Sequence, residues 1–200
     1  MRFDAFILVG GRSSRFGSDK ALADLGSMTL AETAARSIER IPGCADVTLV
    51  SANETQFTDA EMPRKAIFDK NAGLGAWSGF QTALAASKCE MTFILACDLP
   101  LVGRELLENI VTAAARTDAP AVVPRQPDGR LQPLCGIYRT GPVLAAVDAR
   151  IASEMRLPSL ISFVEDIGAA VLEPSEGASP DEFLNVNTRE DLEKARRLSS

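Results

Sequence analysis

The amino-acid sequence predicts a three-layer α/β fold, in which helices cover both faces of a mostly parallel β-sheet. Through the first half of the chain, short apolar runs alternate with longer segments of helical period, as they do in successive strand–helix–strand units. The apolar runs are continuous, which is typical of buried strands. Glycines or polar residues directly follow four of these runs, at the edge where parallel strands form binding sites.

The predicted strands are short apolar runs that end at a glycine or a polar residue. The most distinct of them is MTFILA, Met91–Ala96, which is followed by Cys97 and Asp98. Two later runs, Ala121–Val123 and Leu134–Tyr138, are predicted to pair with each other around the loop between them. The other predicted strands are Phe6–Val9, Val47–Val50, Ala66–Phe68 and Ala169–Leu172.

The predicted helices rest on apolar residues three or four positions apart and on end signals. The first helix, Thr29–Ile41, stops at a Pro-Gly pair, and the last, Thr188–Leu198, opens with the spacing of a capping box. In the helix Trp77–Ala86, Trp77 lies on the apolar face and is expected to be a core residue rather than a stacking platform. The other predicted helices are Glu105–Ala115, Pro142–Ile151 and Leu160–Ile167.

Length and charge limit the possible classes of protein. The chain has 200 residues and a net charge of −6, and no linker divides it, so residues 1–200 are expected to form a single domain. An acidic chain is a poor general ligand for nucleic acid or for an anionic membrane. No stretch approaches the roughly 20 apolar residues that span a bilayer, and no signal peptide is expected. A cytoplasmic protein is therefore expected.

The residues that are absent narrow the possible chemistry. The sequence contains no histidine, which excludes a Ser-His-Asp triad, a Cys-His pair and a histidine-ligated metal. Its four cysteines form no C-x-x-C pair and are expected to be free thiols. An enzyme of this composition is expected to act by electrostatic stabilisation, with a hard cation held by carboxylates.

The stretch ILVGGRSSRFGSDKAL, Ile7–Leu22, is the most informative loop of the chain. Its glycine spacing matches neither the dinucleotide-binding fingerprint nor the P-loop. Paired glycines let backbone amides approach an anion closely, and successive amides in a tight turn form an anion-binding concavity. Arg12, Arg15 and Lys20 add positive charge, so the loop is predicted to bind a polyphosphate.

Three further polar stretches follow predicted strands. They are Ser51–Asn53, Asp69 and Asp98. Because ligands of open α/β sheets bind beyond the carboxyl ends of the strands, these stretches and Gly10-Gly11 are expected to meet at one edge. Asp98, at the end of a buried strand, is well placed to ligate Mg²⁺, which takes one or two carboxylates together with phosphate oxygens.

The opening loop resembles the signature L-x-G-G-x-S-x-R-x-G-x-D-K of nucleotidyltransferases that attach a nucleotide to a phosphorylated acceptor. Together with CDLP at Cys97–Pro100 and NVNT at Asn185–Thr188, it is most similar to the molybdenum cofactor guanylyltransferase family. The resemblance covers the whole chain. It implies a Rossmann-like nucleotidyltransferase fold and an Mg²⁺-dependent enzyme that transfers GMP from GTP to the phosphate of molybdopterin or Mo-molybdopterin, releasing pyrophosphate. Molybdoenzyme chaperones or molybdenum insertion proteins would be its protein partners.

The resemblance also implies roles for individual residues. Arg15, Lys20 and Asp98 would be catalytic, and Asp98 would hold the metal ion. Asp69 would take part in guanosine recognition, although the glycine-rich stretch after it reads GAWSG where the family has G-P-L-x-G. The residues implied in GTP binding are Leu8, Val9, Gly10, Gly11, Lys20, Ser51, Asn53, Asp69 and Asp98.

The acceptor is expected to contact the C-terminal half of the chain. Asn185 and Asn187 stand at alternate positions of an extended segment, so both side chains are predicted to point to the same side. Arg156 matches an arginine that precedes a helix near the acceptor site in the family. Gln132 stands where the family has a histidine, and Ser51 stands where it has an asparagine.

Alternative functions remain open from the sequence. A molybdopterin cytidylyltransferase or a phospholactate guanylyltransferase would use the same fold and much of the same loop. A non-catalytic nucleotide-binding or partner-docking domain is a further alternative, which the intact Lys20 and Asp98 disfavour. The double glycine and the NVNT segment favour the guanylyltransferase.

Overall fold

The computed structural model describes residues 1–9, 20–52, 64–69, 73–153, 156–175 and 179–199. Seven strands and six α-helices lie in these ranges. The strands are β1 (Phe3–Leu8), β2 (Cys44–Ser51), β3 (Ala66–Phe68), β4 (Met91–Ala96), β5 (Ala121–Pro124), β6 (Cys135–Arg139) and β7 (Ala170–Leu172). The helices are α1 (Leu30–Glu39), α2 (Ala76–Ala86), α3 (Arg104–Ala114), α4 (Thr140–Ala152), α5 (Leu160–Asp166) and α6 (Arg189–Leu198).

The strands form one sheet in the order β3-β2-β1-β4-β6-β5-β7. Strands β1 to β4 are mutually parallel, and β5 pairs in parallel with β7. Only β6 runs the other way among the described strands, because it pairs antiparallel with both β4 and β5. The predicted mostly parallel sheet is confirmed, and so is the predicted pairing of the two runs that became β5 and β6.

Helices cover both faces of the sheet. Alternate residues of β1 point to opposite sides: Ile7 packs in a cluster with the buried faces of α1 and α3, and Phe6 packs in a cluster with α2, α4 and α5. Helix α6 covers the start of α1 through Leu192 and Ala195. The predicted three-layer α/β/α architecture is therefore confirmed.

The first strand begins earlier than the sequence predicts, at Phe3 rather than Phe6. The reason is Asp4, a buried carboxylate that interrupts the apolar run without ending the strand. Its Oδ2 accepts hydrogen bonds from the backbone N–H groups of Lys88 (2.7 Å) and Cys89 (3.2 Å), just before β4. A buried polar group that is satisfied in this way is compatible with a central strand.

Side-chain caps explain why the predicted first residues of α1 and α6 lie close to the observed ones. Thr29 caps α1 by accepting from the Glu32 N–H at 3.2 Å. Thr188 and Asp191 form the predicted capping box at the start of α6, where the Asp191 N–H donates to Thr188 Oγ1 at 3.1 Å. Two short 3-10 turns, Lys20–Leu22 and Pro180–Phe183, were not predicted.

The direction of β6 decides where the C-terminal half of the chain lies. Because β6 runs from the carboxyl edge of the parallel strands to their amino edge, α4 returns to the carboxyl edge, and residues 156–159 follow it there. Strand β7 also ends at this edge, and the Val186 N–H donates to Asp98 O, so residues 184–187 lie there too. The topology therefore brings both C-terminal segments with predicted site residues to the edge where β1 to β4 end.

No helix in the described ranges combines the length and the apolar character that a membrane crossing requires.

All four cysteines are free thiols, as expected, and burial raises the pKa of Cys44 to about 11.

Candidate functional site

The carboxyl ends of four parallel strands are joined by backbone hydrogen bonds at one edge of the sheet. The Val9 N–H donates to Val50 O at 3.0 Å, and the Cys97 N–H donates to Leu8 O at 3.1 Å. The Asp69 N–H donates to Ser51 O, also at 3.0 Å. These bonds bring Leu8, Val9, Ser51, Asp69 and Asp98 to the same edge, as the topology requires.

Lys20, Asp98 and Asn187 meet at this edge. Lys20 Nζ donates to Asp98 Oδ2 at 2.8 Å and to Asn187 Oδ1 at 3.1 Å. The side chains of Lys20 and Asp98 are only 14% and 21% exposed, so water screens their attraction less than it would on an open surface. The cation at the end of the opening loop is thereby fixed beside the carboxylate that stands two positions after β4.

The C-terminal segment reaches this site through the backbone of Asp98. The Val186 N–H donates to Asp98 O at 2.9 Å, and the Val186 side chain is fully buried. Asn185 and Asn187 flank it and are both exposed. Asn187 Oδ1 accepts the hydrogen bond from Lys20, and contact of Asn185 and Asn187 with the acceptor stays a prediction.

Asp191 fixes the backbone that carries Asn187. Its Oδ2 accepts from the Asn187 N–H (3.0 Å), the Thr188 N–H (2.8 Å) and Thr188 Oγ1 (2.9 Å). Burial works to raise the pKa of Asp191, but these hydrogen bonds outweigh it and hold the pKa below its ordinary value. The sequence indicated the capping box, but not that this cap also positions a site residue.

Asp69 follows β3 and faces the first turns of α2. Burial raises the pKa of its carboxyl group, and the nearby hydroxyls of Ser78 and Thr82 offset that effect only in part. Within the described part of the chain, Asp69 Oδ1 and Ser78 Oγ are both buried without a hydrogen-bond partner. A Cβ atom built on Gly79 would lie 3.7 Å from Asp69 Oδ1, so the carboxylate lies directly against the helix. Sequence reasoning missed Ser78 and Thr82, which stand one helical turn apart.

The turn that leads into α2 depends on glycine. Gly73 has a φ of 111° and Gly75 a φ of 60° with ψ −135°, conformations that residues with a side chain rarely adopt. The position of the missing family proline is Ala76, the first residue of α2. The turn therefore forms without that proline.

Trp77 is a core residue, as predicted. It is 5% exposed, and its ring packs edge-on against Phe163 at a centroid distance of 4.9 Å. Its indole Nε1–H donates to Pro158 O at 2.9 Å. Pro158 stands two positions after Arg156, which is exposed and precedes α5.

Gln132 is held mainly through its backbone. Its N–H donates to Pro124 O at 2.9 Å, and its carbonyl accepts from the Cys135 N–H at 3.1 Å. These bonds close the loop between β5 and β6 at the carboxyl edge. Gly10, Gly11, Arg12, Arg15 and Asn53 lie outside the described residues.

The described residues contain no group of three or more Asp, Glu, Cys or His side chains that could hold a metal ion. The oxygen-only chemistry of Asp98 nevertheless fits Mg²⁺, which often takes one or two protein carboxylates and completes its coordination with phosphate oxygens and water. Lys20 bonds to Oδ2 of this carboxylate. Among the described residues no hydrogen bond reaches its other oxygen.

Comparison with known proteins shows the family of the chain. Residues 5–166 match the model of the MobA-like NTP transferase domain family. A relative from Carboxydothermus hydrogenoformans named "Probable molybdenum cofactor guanylyltransferase" is 32% identical over 97% of this chain and 95% of its own length. A Shewanella protein (strain MR-4) named "Molybdenum cofactor guanylyltransferase" is 28% identical over 97% of this chain and 95% of its own.

Solved structures share the fold. Molybdopterin-guanine dinucleotide biosynthesis protein A from Archaeoglobus fulgidus superposes with a TM-score of 0.79 at 21% identity, covering 98% of each chain. A CMP:2-keto-3-deoxy-manno-octonic acid synthetase superposes with a TM-score of 0.76 at 14% identity, covering 100% of this chain and 98% of its own. From the match of most of its length and from these relatives, the chain belongs to the MobA-like NTP transferase domain family and is a nucleotidyltransferase.

Proposed function

We propose that the chain is a molybdenum cofactor guanylyltransferase, which transfers GMP from GTP to the terminal phosphate of molybdopterin or Mo-molybdopterin and releases pyrophosphate. The observation that carries the proposal is the contact of Lys20 with both Asp98 and Asn187 at the carboxyl edge of the sheet. It unites the end of the opening loop, the end of β4 and the NVNT segment, the three motifs of the resemblance. Relatives that match nearly the full chain carry this activity in their names.

The reaction requires relief of charge repulsion more than it requires a base. The acceptor phosphate is already anionic at neutral pH, so a chain without histidine can carry out the transfer. Lys20 would stabilise the negative charge that develops between the α-phosphate and the departing pyrophosphate. Asp98 and Asn187 hold the Lys20 ammonium group in place before GTP arrives, which lowers the cost of organising the site.

Asp98 is the residue that would hold Mg²⁺. The metal ion would neutralise charge on the nucleotide phosphates, as it does in other phosphoryl transfers. Asp98 follows the fully buried strand β4 by two positions, and its backbone carbonyl accepts from the Val186 N–H, so the sheet and the C-terminal segment fix its position.

The two substrates would occupy different parts of the same edge. Asp69 would accept hydrogen bonds from a ribose hydroxyl or from guanine N–H groups, on the side of β3 and α2. Leu8, Val9 and Ser51 would line the path of GTP, together with Gly10, Gly11, Arg15 and Asn53. Asn185, Asn187 and Arg156 would serve the acceptor on the side of the C-terminal half, and Asn187 also bonds to Lys20.

Nucleotide binding tests the proposal without the acceptor. We expect GTP with Mg²⁺ to raise the Tm of the protein more than CTP, ATP or UTP does, because a ligand that binds only the folded state stabilises it by mass action. Asp98→Asn should abolish most of the Mg²⁺-dependent part of the shift. A larger shift with CTP would instead favour a cytidylyltransferase, and no shift with any nucleotide would favour a non-catalytic domain.

A protein of this function is expected in the cytoplasm, where molybdoenzyme chaperones or molybdenum insertion proteins would receive its product. The net charge of −6 disfavours nucleic acid and anionic membranes as partners.

A further inference from the structure

The indole of Trp77 joins two parts of the site that are far apart in sequence. Trp77 Nε1 donates to Pro158 O at 2.9 Å, across 81 positions. Trp77 is the second residue of α2, directly after the glycine turn that follows Asp69. Pro158 lies in the segment that links Arg156 to α5.

These two parts serve different substrates in the proposed function. Asp69 and the start of α2 lie on the nucleotide side of the carboxyl edge. Residues 156–159 lie at the same edge, because α4 brings the chain back to it from the antiparallel strand β6. A fixed distance between them would set how the acceptor phosphate meets the α-phosphate of GTP.

The contact is rigid because each of its parts is packed. Phe163, the ring against Trp77, also packs against Phe80 at a centroid distance of 6.2 Å, and Phe80 packs edge-on against Tyr138 at 4.9 Å. Ser159, next to Pro158, caps α5 by accepting from the Ser162 N–H at 3.0 Å. If the segment moved away, the buried indole N–H would lose its partner, which is costly for a buried donor.

We propose that Trp77 is a positioning residue for the acceptor: its indole N–H holds the segment that carries Arg156 at a fixed place relative to the nucleotide-binding start of α2. The inference rests on the proposed guanylyltransferase function and adds to it the residue that couples the two substrate sites. It also gives a physical role to the tryptophan that stands in GAWSG, where the family has a leucine.

The first test is Trp77→Phe, which keeps an aromatic ring and removes the donor. In a transfer assay with GTP and Mo-molybdopterin, we expect the KM for the acceptor to rise about tenfold, which is the change that the loss of one hydrogen bond typically causes. The KM for GTP should change less than about twofold. A purely structural role would instead change both KM values or only the Tm.

A second variant removes the donor with less change of shape. Trp77 is the only tryptophan of the sequence, so incorporating β-(3-benzothienyl)alanine in place of tryptophan alters this position alone. The analogue replaces the indole N–H by sulfur and keeps the bicyclic ring. We expect the same rise in acceptor KM, and wild-type values from this protein would overturn the proposal even if Trp77→Phe failed to fold.

Gln81→Ala is the matched control. Gln81 lies one turn further along α2, and its Nε2 donates to Asp148 Oδ1 on α4 at 2.6 Å. Removing this side chain loosens the same helical layer away from the acceptor segment, so both KM values should remain near wild type. An equal rise in acceptor KM with Gln81→Ala would mean that general loosening, not the Trp77–Pro158 bond, causes the effect.

Combination with Arg156→Ala separates the remaining explanations. If Trp77 acts through Arg156, the double variant Trp77→Phe/Arg156→Ala should have the same acceptor KM as Arg156→Ala alone. An acceptor KM raised by the product of the two single effects would contradict the proposal. If the wild-type protein transfers no GMP, the proposed function fails. If it transfers GMP and the Trp77 variants behave like wild type, only this inference fails.

Discussion

Lys20 Nζ and Asp98 Oδ2 are 2.8 Å apart although 78 positions separate the two residues in sequence. The pair joins the end of the opening loop to a residue two positions after the central strand β4. It lies beside Asn187, which accepts from the same ammonium group at 3.1 Å. The cation that the mechanism needs is therefore already held at the sheet edge by two oxygen acceptors.

Lys20→Ala should lower kcat by about 10²–10³, because it removes a charge aimed at the phosphates in the transition state. The measurement is the steady-state rate of GMP transfer at saturating GTP. Lys65→Ala is the matched control, since Lys65 forms an exposed pair with Asp46 at 3.0 Å and exposed pairs contribute little. Near wild-type turnover of Lys20→Ala would refute the catalytic role of this lysine.

Asn187→Ala should lower kcat about tenfold or more, because the amide oxygen helps to hold the Lys20 ammonium group and hydrogen bonds to charged groups are stronger than neutral ones. In a Lys20→Ala background the same change should have little further effect. Asn185→Ala, on the other side of Val186, should leave kcat near wild type and act on the acceptor KM. If the double variant instead lowers kcat by the product of the two single effects, Asn187 does not act through Lys20.

Thr188→Ala should lower the free energy of unfolding by about 1 kcal/mol, the ordinary value of an N-cap. It should also lower kcat, because the capping box fixes the backbone of Asn187. Denaturant titration and turnover measure the two effects. Loss of stability with unchanged kcat would show that the cap supports α6 but not the site.

Asp191 makes the stability that the capping box of α6 contributes dependent on pH. The pKa of its carboxyl group is lower in the folded than in the unfolded chain, since the hydrogen bonds from Asn187 and Thr188 outweigh burial. Its contribution is therefore complete above the ordinary aspartate pKa and is lost as the pH falls through the lowered value. The difference in Tm between wild type and Asp191→Ala should accordingly shrink in acid, and a difference that grows there would contradict this assignment.

Asp69→Asn should raise the Tm near neutral pH and weaken GTP binding. Burial raises the pKa of the Asp69 carboxyl group. The contribution of this group to the free energy of unfolding is therefore most favourable below the ordinary aspartate pKa and is lost as the pH rises through the raised value. At neutral pH the charged carboxylate therefore lowers the stability of the folded protein, and water weakens this effect because the group is only half-buried. Thermal unfolding with and without GTP measures both effects, and an unchanged GTP affinity would remove Asp69 from the nucleotide site.

The fold could be predicted from sequence because its signals are local. Continuous apolar runs identified all seven described strands, and the parallel order of the first four places their polar ends together. Both β1 and β2 begin three residues before their predicted starts, and for β1 the reason is Asp4. Its partners are backbone N–H groups more than 80 positions away, which no local pattern reports.

The site could be predicted only in part for the same reason. Lys20, Asp69 and Asp98 were found from motifs and from their places after strands. The bond between Lys20 and Asn187 spans 167 positions and depends on how Val186 aligns with Asp98. The partner of Trp77 is a backbone carbonyl, a group that every residue carries and that sequence therefore does not mark.

Transfer of the α-phosphate tests the central claim most directly. The wild-type protein is incubated with Mo-molybdopterin, Mg²⁺ and GTP or CTP labelled at the α-phosphate, and the pterin product is separated and counted. We predict that label from GTP enters the pterin dinucleotide with release of an equal amount of pyrophosphate, and that GTP labelled at the γ-phosphate gives none. Preferential transfer from CTP, or no transfer from either nucleotide, would contradict the account.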